Sequence, residues 1–156
     1  VFDEQGNTKV GINYLERAIE LDQMNSEFYL IQADMYIKMR RFDKAKLCFQ
    51  KIEEIDPLDP DLWKDYANLH IHTGEIEKAV QILKTGLIHQ PENTSIMYRL
   101  VATLLLKCNE SQAIYYLETA LELDFDGHLD LIEYYPSIVS NQKVMDLILI
   151  YAPWKS

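Results

Sequence analysis

Apolar residues recur every three or four positions along most of the chain, which is the spacing of one face of an α-helix. The run Leu30, Ala33, Met35, Tyr36 and Met39 shows this pattern. It predicts helices near residues 8–22, 26–39, 42–55, 60–73, 76–89, 94–107, 110–123, 128–135 and 141–151. Because the segments between most of these helices are very short, neighbouring helices are expected to run antiparallel. The pattern therefore predicts an all-α protein built from stacked helix pairs.

Small and large side chains repeat along the chain at one fixed spacing. The column of small residues contains Gly11, Ala45, Ala79 and Ala113. Two further columns follow it in the same helices, formed by Leu15, Phe49, Leu83 and Leu117 and by Ala18, Ile52, Gly86 and Ala120. The same spacing relates Tyr29, Trp63 and Met97 upstream, and Pro57 and Pro91 downstream. Five columns in one phase indicate an internal structural repeat.

Each column has a physical role in a helical hairpin. A small residue such as Ala45 or Ala79 lets two helices approach closely, where a larger side chain would push them apart. The large residue four positions later lies one turn along the same face and fills the core between the helices. Pro57 and Pro91 cannot continue a helix interior, so each is expected to end one hairpin and begin the next connection.

These columns resemble the tetratricopeptide repeat (TPR), whose signature over about 34 residues is W-x2-L-G-x2-Y, then A-x3-F, then P. Residues 60–93 match it best, through Trp63, Tyr66, Ala67, His70, Gly74, Ala79, Leu83 and Pro91. Residues 26–59 and 94–127 form the neighbouring repeats, although Phe125 stands where the later repeat should have proline. Residues 8–25 supply only the second helix of a partial repeat, so the natural array is expected to continue before it. The resemblance implies a right-handed α–α superhelix, or solenoid, over residues 1–127.

The repeat pattern fades after Gly127. Leu131 keeps the phase of Met97, but Pro136 interrupts the helix and no small residue appears near positions 147 or 154. We interpret residues 128–156 as a degenerate helix pair in the same domain that caps the stack, because a solenoid needs an atypical unit over its last apolar face. Trp154 is expected to fold back onto this cap.

The resemblance implies a non-catalytic scaffold that binds a peptide or a partner protein in a concave groove lined by the first helix of each repeat. The groove residues it indicates are Leu30, Asp34, Lys38, Lys64, Asn68, His72, Tyr98, Ala102 and Leu105. These positions mix polar and apolar side chains, which suits an extended or helical peptide, although an ordinary solvated face would also mix them. The alternative is a structural spacer that self-associates through the ends of the array. Light scattering would distinguish an open groove from one buried by self-association.

Lys64 and Asn68 also occupy two positions of the carboxylate clamp found in chaperone-binding TPR proteins. Residues four apart on a helix can reach the same C-terminal carboxylate. The clamp is not completed, because Arg99 stands where an Asn is expected, and Leu129 and Glu133 stand where two cations are expected. Lys64 and Asn68 are therefore kept as groove residues without the clamp.

Charge and hydropathy exclude some classes of partner. The net charge of −10 argues against nucleic acid and anionic membrane surfaces, both of which would repel the chain. The chain has no apolar stretch long enough to insert into a membrane. Cys48 and Cys108 fit no metal or redox spacing and are expected to be buried free thiols. They leave the compartment open, with a slight preference for the cytoplasm.

Residues 122–133 nearly match a calcium-binding loop, including Gly127 at the turn and Glu133 at the end. The match is interpreted as a coincidence, because Glu122 stands where Asp is expected and the repeat phase assigns Glu122 to a helix. His70 and His72 are two residues apart, so they point in nearly opposite directions on a helix and cannot share a metal. No metal, no cofactor and no catalytic residue is predicted, and the chain is predicted not to be an enzyme.

The column of small residues makes a direct prediction. Replacing Ala79 by Leu should lower the free energy of unfolding by about 1–3 kcal/mol, because the larger side chain would overpack the contact between helices. Chemical denaturation measures this change. An unaltered unfolding midpoint would mean that Ala79 is not at a helix crossing.

Overall fold

The computed structural model describes residues 4–153, with side chains from residue 6 onward. Within this range lie nine α-helices: α1 (Glu4–Leu21), α2 (Ser26–Lys38), α3 (Phe42–Ile55), α4 (Leu62–His72), α5 (Ile76–His89), α6 (Thr94–Leu106), α7 (Glu110–Leu123), α8 (His128–Tyr134) and α9 (Gln142–Tyr151). A 3₁₀ helix, Pro136–Ser140, lies between α8 and α9. No strand occurs in the described part of the chain. The all-α prediction is confirmed.

Most helix boundaries lie within two residues of the sequence prediction, and two features depart further from it. α1 begins at Glu4, earlier than expected from the apolar pattern. The 3₁₀ helix was not predicted; Pro136 occupies its first turn, where the missing N–H of proline removes no hydrogen bond. Trp154 lies outside the described residues.

The chain divides into two compact units, residues 1–69 and residues 70–156. The division falls within α4, between Leu69 and His70. We call these the first unit and the second unit and describe each by itself. The repeat boundaries inferred from the sequence remain a proposal.

The core of the first unit lies where α2 packs against α3. Ala45 and Ile52 of α3 have no exposed surface, which is the behaviour expected of the close-contact columns. Phe49 stacks on Tyr66 of α4, with ring centroids 5.2 Å apart and planes inclined by 19°. Offset-stacked aromatic pairs stabilise by about 0.5–1.5 kcal/mol beyond their burial.

The core of the second unit is centred on α6, which packs against α5, α7 and α8. Almost every residue of α6 from Ile96 to Leu105 is buried, so this helix is surrounded rather than amphipathic. Its neighbours contribute Ala79 and Ala113 of the small column, both without exposed surface. A fully buried leucine stabilises a fold by roughly 1.5–3 kcal/mol, and α6 contributes Leu100 and Leu104 buried to this extent.

The turns that follow α2, α4 and α6, the first helices of the three repeats, have the same backbone conformation. Each has a residue with positive φ, namely Arg40 (57°), Gly74 (80°) and Cys108 (58°). In the first of them the N–H of Arg40 donates to the carbonyl of Ile37 (2.9 Å), and the N–H of Arg41 to that of Tyr36 (2.8 Å). Matching pairs of bonds close the other two turns. This is the Schellman motif, which satisfies the last carbonyls of a helix and favours glycine at the left-handed position.

The same turn explains the exposure of one cysteine. Cys48 is buried, as predicted, but Cys108 is exposed, so the prediction of two buried thiols is wrong for Cys108. Cys108 stands at the left-handed position of the turn, beyond the last residue of α6. Cys48 lies within α3, on the side that packs against α2.

The turn conformation predicts opposite effects at two equivalent positions. Cys108→Gly should raise the free energy of unfolding by about 0.5–1 kcal/mol, because glycine adopts positive φ without steric cost. Gly74→Ala should lower it by about 1 kcal/mol, because no neighbour blocks the added methyl group and only the backbone is strained. Urea denaturation of both variants measures the two changes. Changes of the same sign would contradict the assignment.

Candidate partner-binding face on the first helices

In the first unit, the predicted groove residues lie on α2 and on the first-unit part of α4. Asp34 and Lys38 are exposed, whereas Leu30, Lys64 and Asn68 are half-buried. Leu30, Asp34 and Lys38 follow each other at intervals of four residues along α2, so they share one face of the helix. Lys64 and Asn68 stand in the same relation on α4. We call these five residues the α2/α4 face.

Asp59 fixes the start of α4 beside α2. Its Oδ1 accepts hydrogen bonds from the N–H groups of Asp61 (3.0 Å) and Leu62 (3.2 Å), which satisfies two of the free donors at the helix start. Its Oδ2 accepts a hydrogen bond from the Ser26 hydroxyl (3.4 Å) at the start of α2. One carboxylate thus links the N-terminal ends of both helices that carry the face.

The α2/α4 face carries charges of both signs. Lys38 Nζ lies 2.6 Å from Asp34 Oδ2, and this hydrogen bond raises the pKa of Lys38. Burial raises the pKa of the Asp65 carboxyl, and the Asp61 carboxylate raises it further. Asp34 also raises the Asp65 pKa across the helices, so the two carboxylates are close enough to interact. A ligand at this face therefore meets cations, carboxylates and an amide within a small area.

In the second unit, three of the predicted groove residues are buried. Tyr98 has no exposed surface, and Ala102 and Leu105 are almost fully buried. The prediction that these side chains line an open groove is wrong in this respect. The reason is that α8 packs on α6, and Leu131 of α8 has no exposed surface either. His72, in the last turn of α4, is exposed, whereas His70 is buried, as is Tyr36 at the same position one repeat earlier.

The segment that leads into α8 holds Tyr98 inside the unit. The Tyr98 hydroxyl donates a hydrogen bond to the carbonyl oxygen of Asp124 (2.5 Å). Burial raises the pKa of Tyr98, and the Asp124, Asp126 and Asp130 carboxylates raise it further, so the hydroxyl keeps its proton. A Cβ at Gly127 would overlap the Tyr98 ring, so this position requires glycine. In the sequence, Gly127 is the residue that signals this close approach, although the surrounding motif favours the interpretation as a calcium-like loop.

The calcium-like stretch is divided between a helix and a connection. Glu122 and Leu123 belong to α7, as the repeat phase predicted, and Gly127 has an ordinary helical φ of −61°. Across the described residues, no group of three or more His, Cys, Asp or Glu side chains is arranged to hold a metal. Arg99, one of the residues that interrupt the carboxylate clamp, contacts an aromatic ring. Its guanidinium lies 4.3 Å from the centroid of the Tyr134 ring. No described helix is long and apolar enough to cross a membrane.

Two sequence models of the tetratricopeptide repeat match the chain, one over residues 26–57 and the other over residues 48–104. Together they span residues 26–104, which is 79 of the 156 residues. The chain belongs to the tetratricopeptide repeat family. A TPR-containing protein of Dictyostelium discoideum is 27% identical over 78 residues, which is half of this chain but only 6% of that protein.

Solved TPR structures share the fold of this chain at low identity. MamA is 14% identical with a TM-score of 0.65, covering 97% of this chain and 91% of MamA. PilF of Pseudomonas aeruginosa is 20% identical with a TM-score of 0.62, covering 96% of this chain and 71% of PilF. YrrB, a TPR protein with an unusual peptide-binding site, is 15% identical with a TM-score of 0.60, covering 95% of this chain and 79% of YrrB. The predicted TPR solenoid class is confirmed, and the chain is in general terms a protein-interaction module.

The approach of Gly127 to Tyr98 predicts a position-specific cost. Gly127→Ala should lower the free energy of unfolding by about 1–3 kcal/mol, because its methyl group would overlap an aromatic ring that cannot yield. Gly11→Ala is the control, because its methyl group would meet only the flexible end of the Met35 side chain. The substitution also removes a glycine from the interior of α1, which favours the helix. Denaturant unfolding should show no loss for Gly11→Ala. Equal losses in both variants would contradict the role of Gly127.

Proposed function

We propose that this TPR chain binds a peptide segment of a partner protein on the α2/α4 face. The observation that carries the proposal is the contrast between equivalent positions. Lys64 and Asn68 remain accessible in the first unit, whereas Tyr98 and Ala102, which occupy the same two positions one repeat later, are buried in the second. Peptide binding by YrrB supports this choice of ligand class, and we propose a binding role rather than a catalytic one.

The α2/α4 face offers complementary groups for a peptide. The Lys64 ammonium and the Asn68 amide lie one turn apart, so both can bind the same carboxylate or backbone carbonyl. Asp34 can accept a hydrogen bond from a peptide N–H, and Leu30 adds apolar contact. The Asp34–Lys38 ion pair is exposed, so separating it to admit a ligand costs little.

The proposal is tested with peptides selected against the chain from a random display library. Replacing Lys64 and Asn68 together by Ala should weaken binding of the selected peptide at least tenfold, or about 1.4 kcal/mol. The matched control is Lys46→Ala with Gln50→Ala, a pair of similar chemistry one turn apart on the second helix α3. Isothermal titration calorimetry should give control affinities within about a factor of two of the unmodified chain. If the α3 pair abolishes binding and the α4 pair does not, the α2/α4 face is not the site.

Self-association remains the alternative prediction. It is favoured by exposed apolar side chains in the second unit on α8, the 3₁₀ helix and α9, namely Leu129, Val139, Leu149 and Ile150. Apolar side chains that remain exposed mark contact surfaces when they form one patch. Light scattering over a range of concentrations separates the two roles, because a peptide-binding monomer keeps a constant mass.

A further inference from the structure

A pocket of about 410 Å³ opens between α2 and α3 of the first unit. Its walls include Tyr29, Gln32 and Tyr36 of α2 and Lys44, Cys48 and Lys51 of α3. Its volume falls in the range of about 300–1,000 Å³ that is typical of ligand sites. Gln32 and Tyr36 are two residues from Asp34, or about 200° around the helix, so the pocket and the α2/α4 face lie on different sides of α2.

Gln32 breaks the repeat pattern at this pocket. Tyr66 and Leu100 occupy the same position in the two following repeats, so the three residues form one column. All three are buried, but only Gln32 carries an amide. Burying a polar group costs free energy unless its hydrogen bonds are made, so an amide at an apolar position indicates a specific role.

Cys48 holds the Gln32 amide in one orientation. Burial raises the pKa of the Cys48 thiol to about 11, so the thiol keeps its proton. Cys48 Sγ lies 3.2 Å from Gln32 Oε1, and the thiol donates to this oxygen. The Gln32 Nε2 group is then left as a donor at the pocket, where the described contacts give it no acceptor.

Two lysines add positive charge to the same pocket. Lys44 and Lys51 are seven residues apart on α3, or about two turns, so they share a face. Lys44 Nζ lies 5.3 Å from the centroid of the Tyr36 ring. Lys51 forms an exposed ion pair with Glu54 (2.9 Å), which a competing carboxylate can replace at little cost. The pocket therefore combines aromatic walls with N–H donors, in a chain whose net charge is −10.

We propose that this pocket binds an acidic peptide segment and forms a second recognition site separate from the α2/α4 face. A carboxylate of the segment binds Lys44, Lys51 and the Gln32 amide. A neighbouring aromatic or leucine side chain enters between Tyr29 and Tyr36. Charge complementarity selects this occupant, because the donors at the pocket are two ammonium groups and an amide.

The probe is an acetylated and amidated pentapeptide of sequence Glu-Leu-Glu-Phe-Glu, titrated into the ¹⁵N-labelled chain. Its neutral counterpart has Gln in place of each Glu. Shifts should concentrate on the Gln32 side-chain amide and on the backbone of α2 and α3 around the pocket. The neutral peptide should bind at least tenfold more weakly. Absence of shifts at millimolar peptide, shifts centred elsewhere, or equal binding of both peptides would overturn the proposal.

Variants with matched charge separate the pocket from the net charge of the chain. Lys44→Gln with Lys51→Gln should weaken binding of the acidic peptide at least tenfold, whereas Lys78→Gln with Lys84→Gln on α5, which belong to neither the pocket nor the α2/α4 face, should change it by no more than about twofold. Gln32→Leu should weaken binding severalfold without loss of thermal stability, because leucine suits this buried column. If both lysine pairs weaken binding of the acidic peptide equally, the affinity depends only on the net charge of the chain and the pocket is not the binding site. If the chain dimerises and only the pocket variants are monomeric, a second copy is the occupant and the proposal is wrong.

Discussion

In the helical hairpins of this chain, a small side chain lets two helix backbones approach closely, and the other contacts depend on that approach. Ala45 between α2 and α3 and Ala113 between α6 and α7 have no exposed surface. The large residues one turn later, Phe49 and Leu117, then fill the space on the same side. A larger side chain at either alanine would push the helices apart. The contact thus sets which face of each first helix is buried.

The accessibility of the α2/α4 face depends on the element that comes after each hairpin as well as on the repeat phase. In the first unit, the face formed by α2 and α4 stays accessible. In the second unit, the equivalent side of α6 is covered by α8, and the segment before α8 holds the Tyr98 hydroxyl at the Asp124 carbonyl. The start of α9 is also tied to α7, since Glu110 accepts hydrogen bonds from Asn141 (3.3 Å) and Lys143 (2.5 Å). The helices that follow α7 therefore cover the side of α6 that corresponds to the α2/α4 face.

Departures from the repeat pattern have different consequences in the turns and in the core. Arg40 and Cys108 take a left-handed conformation that Gly74 adopts without strain, so the turn is preserved at a cost in stability. Gln32 stays buried like the rest of its column but places an amide beside a protonated thiol. The departure at Gln32 therefore places a hydrogen-bonding group in the wall of the pocket.

The sequence by itself determined the helical class, the repeat period, most helix boundaries and the repeat family. These properties follow from contacts within a helix or between adjacent helices, which are encoded at fixed spacings. The sequence also indicated the side of α2 and α4 on which Asp34, Lys38, Lys64 and Asn68 lie.

Only the tertiary structure decided which of the predicted groove residues are accessible. Tyr98 and Ala102 occupy the same repeat positions as Lys64 and Asn68, which are accessible in the first unit. Tyr98, Ala102 and Leu105 are nevertheless buried, because α8 packs on α6. The pocket beside Gln32 could not be inferred from the sequence either, because it depends on the space that remains between the side chains of α2 and α3. Burial by a later element and the space between helices are not periodic properties, so a spacing of residues cannot report them.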